Sequence, residues 1–253
     1  MKPMEEKKLR SYFHNRNTFS REELYDYFIS EEGELNTGTF GWRIHDLKQK
    51  GILQEVRSGW YTLTIKQKYT PVPDKNILRI DKIIKNNFQQ VSYCIWNIDW
   101  LSDFTMHQFS RNTFIVEIEK DLRSPLYFYL HNNGFRDVLD HIAGKELFIS
   151  NAKNPIFILP LISRAPIQEI TIDNRKSIPC PTIEKILVDI YEDDRLFYFV
   201  QGAELERIFE NALTWYAVNL TTLSGYAKRR GKERSINNYL ETKFPHLLST
   251  DIE

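Results

Sequence analysis

The sequence predicts an α+β protein: a small helical unit closed by a β-hairpin, then a larger mixed α/β unit that ends in helices. Three observations carry this reading. Apolar residues recur every three to four positions in successive segments before residue 50, and that period gives way to short runs flanking Arg57-Ser58-Gly59. A polar stretch carrying Pro71 and Pro73 follows. Beyond it strand-like and helix-like runs alternate as far as "PCPT" (179–182), after which only the helical period remains.

The first helix is expected in "MEEKKLRSYFHNR", where Leu9, Tyr12 and Phe13 share a face. The second, in "SREELYDYFIS", opens on Ser20 with Glu23 three residues on, the pattern of a capping box. Leu24, Tyr27 and Phe28 form its apolar face. After the loop "EEGELNTG", a third helix runs from Thr39 to Lys50, with Phe40, Ile44 and Leu47 as its stripe and Gly51 as its stop. "ILQEV" and "WYTLT" then form a hairpin around Arg57-Ser58-Gly59.

Three short helices closed by a hairpin are the plan of a winged helix-turn-helix domain, here expected over residues 1–70. In that plan the third helix enters the major groove and the hairpin lies on the backbone. Trp42, His45 and Gln49 point away from the apolar stripe. Thr37, Thr39 and Gln49 are placed to donate to phosphates or base edges, and Arg43, Lys48 and Arg57 to neutralise phosphates. Trp42 and Ser58 complete the DNA-facing set. The competing reading is a protein-binding or dimerisation module. Residues 1 to 70 carry twelve Lys/Arg against ten Asp/Glu, and Asp46 on the third helix would repel phosphate.

Residues 71–76 read as a linker, since each proline holds its predecessor extended. The second unit, 77–253, opens with a helix in "NILRIDKIIKNNF", a strand in "QVSYCIW", a short helix in "IDWLSDF" and a strand in "NTFIVEIEK". "SPLYFYLHNNG" reads as a helix with Ser124-Pro125 at its start and Gly134 at its end. Strands are expected in "KELFISN", "PIFILPLI" and "IQEITID", and helices from Ile183 onward through "AELERIFENALTWYAV", "NLTTLSGYAKRR" and "SINNYLETKF". The aromatic run "RLFYFVQ" reads as helix core.

The segments "CIWNIDWLSDFTMHQ", "FIVEIEKDLRSPLYFYL", "LPLISRAPIQEI", "PTIEKILVDIYEDD" and "NALTWYAVNLTTLSGYAKRRGKE" resemble the C-terminal domain of AbiEi-type proteins. These are antitoxins of a bacterial abortive-infection system, classed as type IV toxin–antitoxin. Members of that family also carry an N-terminal winged helix. The resemblance implies a dual role: operator double-stranded DNA bound for autoregulation, and a nucleotidyltransferase-like toxin counteracted by the C-terminal domain, directly or through a shared target.

"KRRGKER" (228–234) supplies Lys228, Arg229, Arg230, Lys232 and Arg234. Such a patch suits an acidic partner or nucleic acid, or simply a solvated helix end that favours the negative pole of the dipole. The rival class is a metal-dependent nuclease using Asp99, Glu117 and Glu119. The period-two alternation of "FIVEIEK" puts the two glutamates on one face, although Lys120 then faces away from them. Charges on the solvent face of a half-exposed strand explain the same letters. No phosphate loop, dinucleotide fingerprint or nucleophile elbow is present, the six histidines form no ligand-spaced pair, and Cys94 sits in an apolar strand. A non-enzyme without cofactor or metal is therefore expected.

Composition bounds the rest. A chain of 253 residues with 42% hydrophobic and 27% charged residues fits a globular protein, and its zero net charge gives no global attraction to nucleic acid. The charged start lacks the apolar core of a signal peptide, and "PIFILPLI" is too short to span a bilayer. Two distant cysteines suit a reducing compartment, so the expected location is the cytoplasm, with no membrane partner and the oligomeric state open.

Overall fold

A computed structural model describes residues 3–106, 112–139, 154–173 and 176–248. It is a mixed α+β structure with two separate hydrophobic cores. One gathers Leu9, Phe19, Leu24, Phe40, Leu47 and Tyr61 with their neighbours, and the other runs from Tyr69 to Phe244. We refer to them as the head and the body.

The head is built from α1 (Pro3–Tyr12), α2 (Arg21–Glu32), α3 (Thr37–Gln49) and the ribbon β2 (Gln54–Arg57) and β3 (Trp60–Thr62). Its boundaries are set by side chains close in sequence. Ser20 Oγ accepts from the Glu23 N–H at 3.1 Å while the Glu23 carboxylate accepts from the Ser20 N–H at 2.7 Å, the reciprocal pair of a capping box. Asn36, which reads as a loop residue in the sequence, caps α3 by accepting from the Thr39 N–H at 2.8 Å, so that helix begins two residues earlier than its apolar stripe suggests. Gly51 takes φ +63° and lets the chain reverse at once into β2. The stripe Phe40, Ile44 and Leu47 is buried as expected.

A two-residue strand, β1 (Phe19–Ser20), escapes a periodicity search because it is too short to show one. It pairs antiparallel with β3, giving a three-stranded sheet in the order β1-β3-β2. The start of α2 is thereby sewn to the hairpin.

In the body, α4 (Lys75–Asn87) precedes β4 (Tyr93–Asn97), a 3₁₀ turn over Ile98–Phe104, and β5 (Phe114–Ile118). Then come α5 (Arg123–Asn132), β6 (Val138–Leu139) and β7 (Ile156–Pro160). α5 starts at Arg123, so Ser124-Pro125 lies inside its first turn rather than capping it. The sheet order is β4-β5-β7-β6, with β4 antiparallel to β5 and the other neighbours parallel. β5 is thus an inner strand, and all five of its residues are buried. "KELFISN" lies outside the described residues.

A second sheet pairs β8 (Ile167–Asp173) with β9 (Lys176–Pro181). β9 corrects the sequence reading, which took "PCPT" as a break. Pro179 and Pro181 fit because this sheet has only two strands, so their missing donors can face away from the ladder. The rest is helical: α6 (Ile183–Glu192), α7 (Ala203–Trp215), α8 (Leu220–Arg229), α9 (Glu233–Lys243) and α10 (Pro245–Leu248). "RLFYFVQ" contains a single 3₁₀ turn, Tyr198–Val200, with Leu196, Phe197 and Val200 buried. None of the described helices is long and apolar enough to cross a membrane.

The segment between the cores is anchored on both sides. Gln67 bridges to Tyr216, Ala217 donates to the Gln67 carbonyl at 2.9 Å, and Tyr69 is already part of the body core. Because the head has its own core, damage to it should stay local. Leu47→Ala, at a side chain only 2% exposed, should destabilise the head by about 2–5 kcal/mol. Amide exchange should accelerate in α2 and α3 and leave β4 and β5 unchanged.

Candidate functional site

The described surface offers three places where sequence-predicted residues meet: the outer face of α3, the hairpin tip, and the turn between α8 and α9. On α3, Thr37, Thr39, Trp42, His45 and Gln49 are exposed, with Trp42 at 65%. The helix therefore turns the predicted face outward. Its cations are already matched. Arg43 grips Glu32 through both guanidinium nitrogens and lies 5.1 Å from the Phe28 ring centroid, Lys48 pairs with Glu55, and Lys50 pairs with Asp46 at 2.6 Å. The hydrogen bonds from Arg43 hold the Glu32 carboxyl below its usual range, and the same bonds hold Arg43 above its own. These exposed pairs contribute little to stability, but they reduce the positive potential of the face.

Arg57 and Ser58, assigned to a DNA contact from the sequence, are exposed at the hairpin tip, and the tip is tied to the body through its backbone. The Ser58 N–H donates to Thr221 Oγ1 of α8 at 2.7 Å, and the Arg57 guanidinium lies 4.3 Å from the Trp60 ring centroid. Lys66, just beyond the ribbon, donates to the Leu213 carbonyl at 2.5 Å. The reason is geometric: β2 is an edge strand of its sheet and packs along α8.

The cationic run after α8 is divided. Lys228, Arg229 and Arg234 are exposed and Lys232 is half-buried. Lys228 stands 3.9 Å from Glu233, and Arg229 donates to the Arg164 carbonyl at 2.9 Å. Arg230 does not belong to the patch: it turns inward, pairs with Glu192 and comes within 3.9 Å of Asp189. The pull of Asp189 and of other acidic groups outweighs burial and raises its pKa.

Asp99, Glu117 and Glu119 are not brought together. Asp99 follows the end of β4 that pairs with Phe114, whereas Glu119 follows the opposite end of β5. The length of that strand, about 16 Å, separates them. Both are exposed, and their carboxylates accept from Ser102 and from the Ser92 N–H. Glu117 is not on a solvent face either, because β5 is inner and covered. No group of three or more His, Cys, Asp or Glu among the described residues is placed to hold a metal ion.

Glu117 instead belongs to a buried ionic cluster that sequence reading missed. The Lys185 ammonium on α6 is fully buried and contacts the carboxylates of Glu117, at 2.5 Å, and Asp189. The Tyr226 hydroxyl donates to the other Asp189 oxygen at 2.9 Å. Burial alone would lower the Lys185 pKa, but Asp189 and Glu117 hold it well above the ordinary lysine value. Burial raises the Glu117 pKa, opposed by Lys185. One signal was available: Lys185 and Asp189 stand four apart in a helix whose other positions are largely apolar. The cluster ties β5, α6 and α8 together.

The chain is thus a two-core α+β protein whose helical head is docked on an α/β body through a hairpin. Residues 39–246 match a family described as a family of unknown function, DUF6577, and the chain belongs to that family. The matched stretch contains α3 from Thr39 onward, the hairpin and the helices on which the hairpin docks. No curated protein matches the chain.

Removing the Lys185 ammonium would leave two buried carboxylates facing each other. Lys185→Met should cost about 3–5 kcal/mol in urea unfolding, and Glu117→Gln added to it should recover part of the loss. Alkaline pH should also destabilise the fold. Lys185 and the buried phenols of Tyr69, Tyr93, Tyr226 and Tyr239 all hold their protons more tightly than usual. The unfolded chain gives those protons up first, from about pH 10. Stability should therefore be intact at neutral pH and fall steeply above about pH 10, as read from urea midpoints.

Proposed function

We propose that this protein is an AbiEi-like antitoxin and autoregulator acting in the cytoplasm. Its head, a winged helix-turn-helix in plan, binds operator double-stranded DNA through α3, and its body counteracts a nucleotidyltransferase-like toxin. The observation that carries the DNA half is the orientation of α3. Its apolar stripe is packed inward, and Thr39, Trp42, His45 and Gln49 stand in solvent on the outer side. A reading helix needs that arrangement to reach base edges.

The mode of binding follows from the ion pairs. The first turn of α3 brings its positive pole and the hydroxyls of Thr37 and Thr39 toward a phosphate. Gln49 reads a base edge, Trp42 packs on the sugar-phosphate wall, and Arg43 and Lys48 exchange their glutamates for phosphates. Arg57 and Ser58 take no part, since the hairpin tip is held by α8. Affinity then depends weakly on salt. For the toxin, Lys228, Arg229, Lys232 and Arg234 form the surface that meets an acidic partner or a shared nucleic-acid target, with Arg230 supporting the turn from within.

Gel-shift titration with DNA from upstream of the gene tests the first half. The slope of log affinity on log salt should be shallow, no steeper than about −3, since each neutralised phosphate adds about 0.9. Glu32→Gln, which frees Arg43, should tighten binding, and Gln49→Ala should weaken it by about 1–3 kcal/mol for the preferred sequence. No shift at about 50 mM salt overturns the DNA reading. Co-expression with the neighbouring nucleotidyltransferase-like gene tests the second half. Growth rescue by the wild type, lost when Lys228, Arg229 and Arg234 are neutralised, supports it; absence of rescue overturns it.

A further inference from the structure

Helix α4 of the body carries a row of uncompensated charge. Lys75, Arg79 and Lys82 stand at i, i+4 and i+7 and are all exposed, so they form one stripe about 10 Å long. Lys85, also exposed, flanks it. No carboxylate of α4 reaches the same face. Asp74 caps the helix, accepting from the Asn76 and Ile77 N–H groups at 2.9 Å each. Asp81 is buried, where it holds the Tyr93 hydroxyl at 2.6 Å and Lys85 at 3.0 Å. Lys75 and Lys82 form no hydrogen bond or ion pair among the described residues. The head differs: there Arg43, Lys48 and Lys50 each hold a carboxylate.

Helix α5 places aromatic rings beside this stripe. Arg79 donates to the Asn133 carbonyl at 3.2 Å, and its guanidinium lies 4.6 Å from the Phe135 ring centroid. The Phe88 and Tyr129 rings meet edge to face at 5.5 Å. These contacts hold α5 alongside α4 from Arg79 to Phe88, the stretch that contains Lys82. Tyr129 is 40% exposed and its neighbour Phe128 62%. Cations next to open rings suit a ligand with both negative charge and flat π faces. A bilayer surface is a poor match. The apolar side of α4 (Ile77, Ile80, Ile83 and Ile84) is at most 8% exposed and belongs to the body core, so it cannot turn to lipid. A duplex hides its base faces in the stack, whereas a single strand offers them.

We propose that the α4–α5 face binds single-stranded nucleic acid, with Lys75, Arg79 and Lys82 on neighbouring phosphates and Tyr129 and Phe128 stacked on unpaired bases. Such a face tolerates many sequences, because every base has a π face, and its affinity falls with salt. The site lies on the body. It does not depend on the operator reading of α3 or on the toxin reading of the 228–234 run.

Fluorescence anisotropy of the full chain at about 50 mM salt tests this with three labelled probes of about 12 nucleotides: oligo(dT), oligo(rU) and a duplex without operator sequence. A single strand should bind about tenfold or more tightly than the duplex, and the better of the two separates a DNA from an RNA source. Its affinity should fall with salt at a log–log slope of about −2, since each of the three phosphates adds about 0.7. Lys75→Gln with Lys82→Gln should flatten that slope to about −0.7. Tyr129→Ala should weaken binding about fivefold or more, and Tyr129→Phe, which keeps the ring, should not. Should Tyr129→Ala fail to fold, Phe128→Ser, at the more exposed ring, carries the stacking test. Gln49→Ala on α3 should leave these affinities unchanged, so failure here and failure of the operator reading are separable. Absence of single-strand binding, equal affinity for the duplex, or an unchanged slope in the double lysine variant overturns the proposal. Equal binding of polyglutamate or of vesicles carrying anionic lipid also overturns it, in favour of an acidic protein or a membrane surface.

Discussion

The body depends on one buried cation. Lys185 reaches from α6 to Glu117 on β5, and holds Asp189 one turn further along its own helix. Asp189 in turn accepts from Tyr226 of α8 and faces Arg230 beyond it. An inner strand, the helix packed on it and the helix beyond are thus joined by one charge. Apolar packing alone tolerates sliding between helices, whereas a buried ammonium between two carboxylates accepts one geometry and penalises others heavily. That constraint positions α8, the element against which the head leans.

The head needs such a support because its docking contacts are few and polar. Ser58 on Thr221, Lys66 on Leu213 and the Gln67–Tyr216 bridge engage α8, the end of α7 and the segment between them. The apolar cores on either side stay separate. With the hairpin held against α8, any groove reading falls to α3 alone. The carboxylates matched to that face, Glu32, Asp46 and Glu55, favour recognition of base edges over general attraction to phosphate.

Much of the fold was legible because it is encoded at short range. The Ser20–Glu23 capping box, the Phe40–Ile44–Leu47 stripe, the stop at Gly51 and the helices after Ile183 each arise from residues within one or two turns of each other. Their physics acts over the same few positions that a reader compares. Strands β4, β5 and β7 of the main sheet were visible as β-branched and aromatic runs, whereas β1 and β6, two residues each, are too short for a period, and the prolines of β9 read as a stop until its two-stranded setting is known. The candidate site was legible only in part. The outward face of α3 follows from helical geometry. The carboxylates of Asp99, Glu117 and Glu119 look alike in the sequence and are separated by the sheet.

The amino-acid sequence by itself determined most of the helices, the Ser20–Glu23 cap, the apolar faces of the helices and the nearly balanced charge of the head, because these depend on neighbours along the chain. Only the tertiary structure decided that Glu117 meets Lys185 across 68 positions and that Ser58 meets Thr221 across 163. It also turned Arg230 inward. Contacts between distant charges and hydroxyls carry no periodicity, and they exist only once packing has brought the elements together.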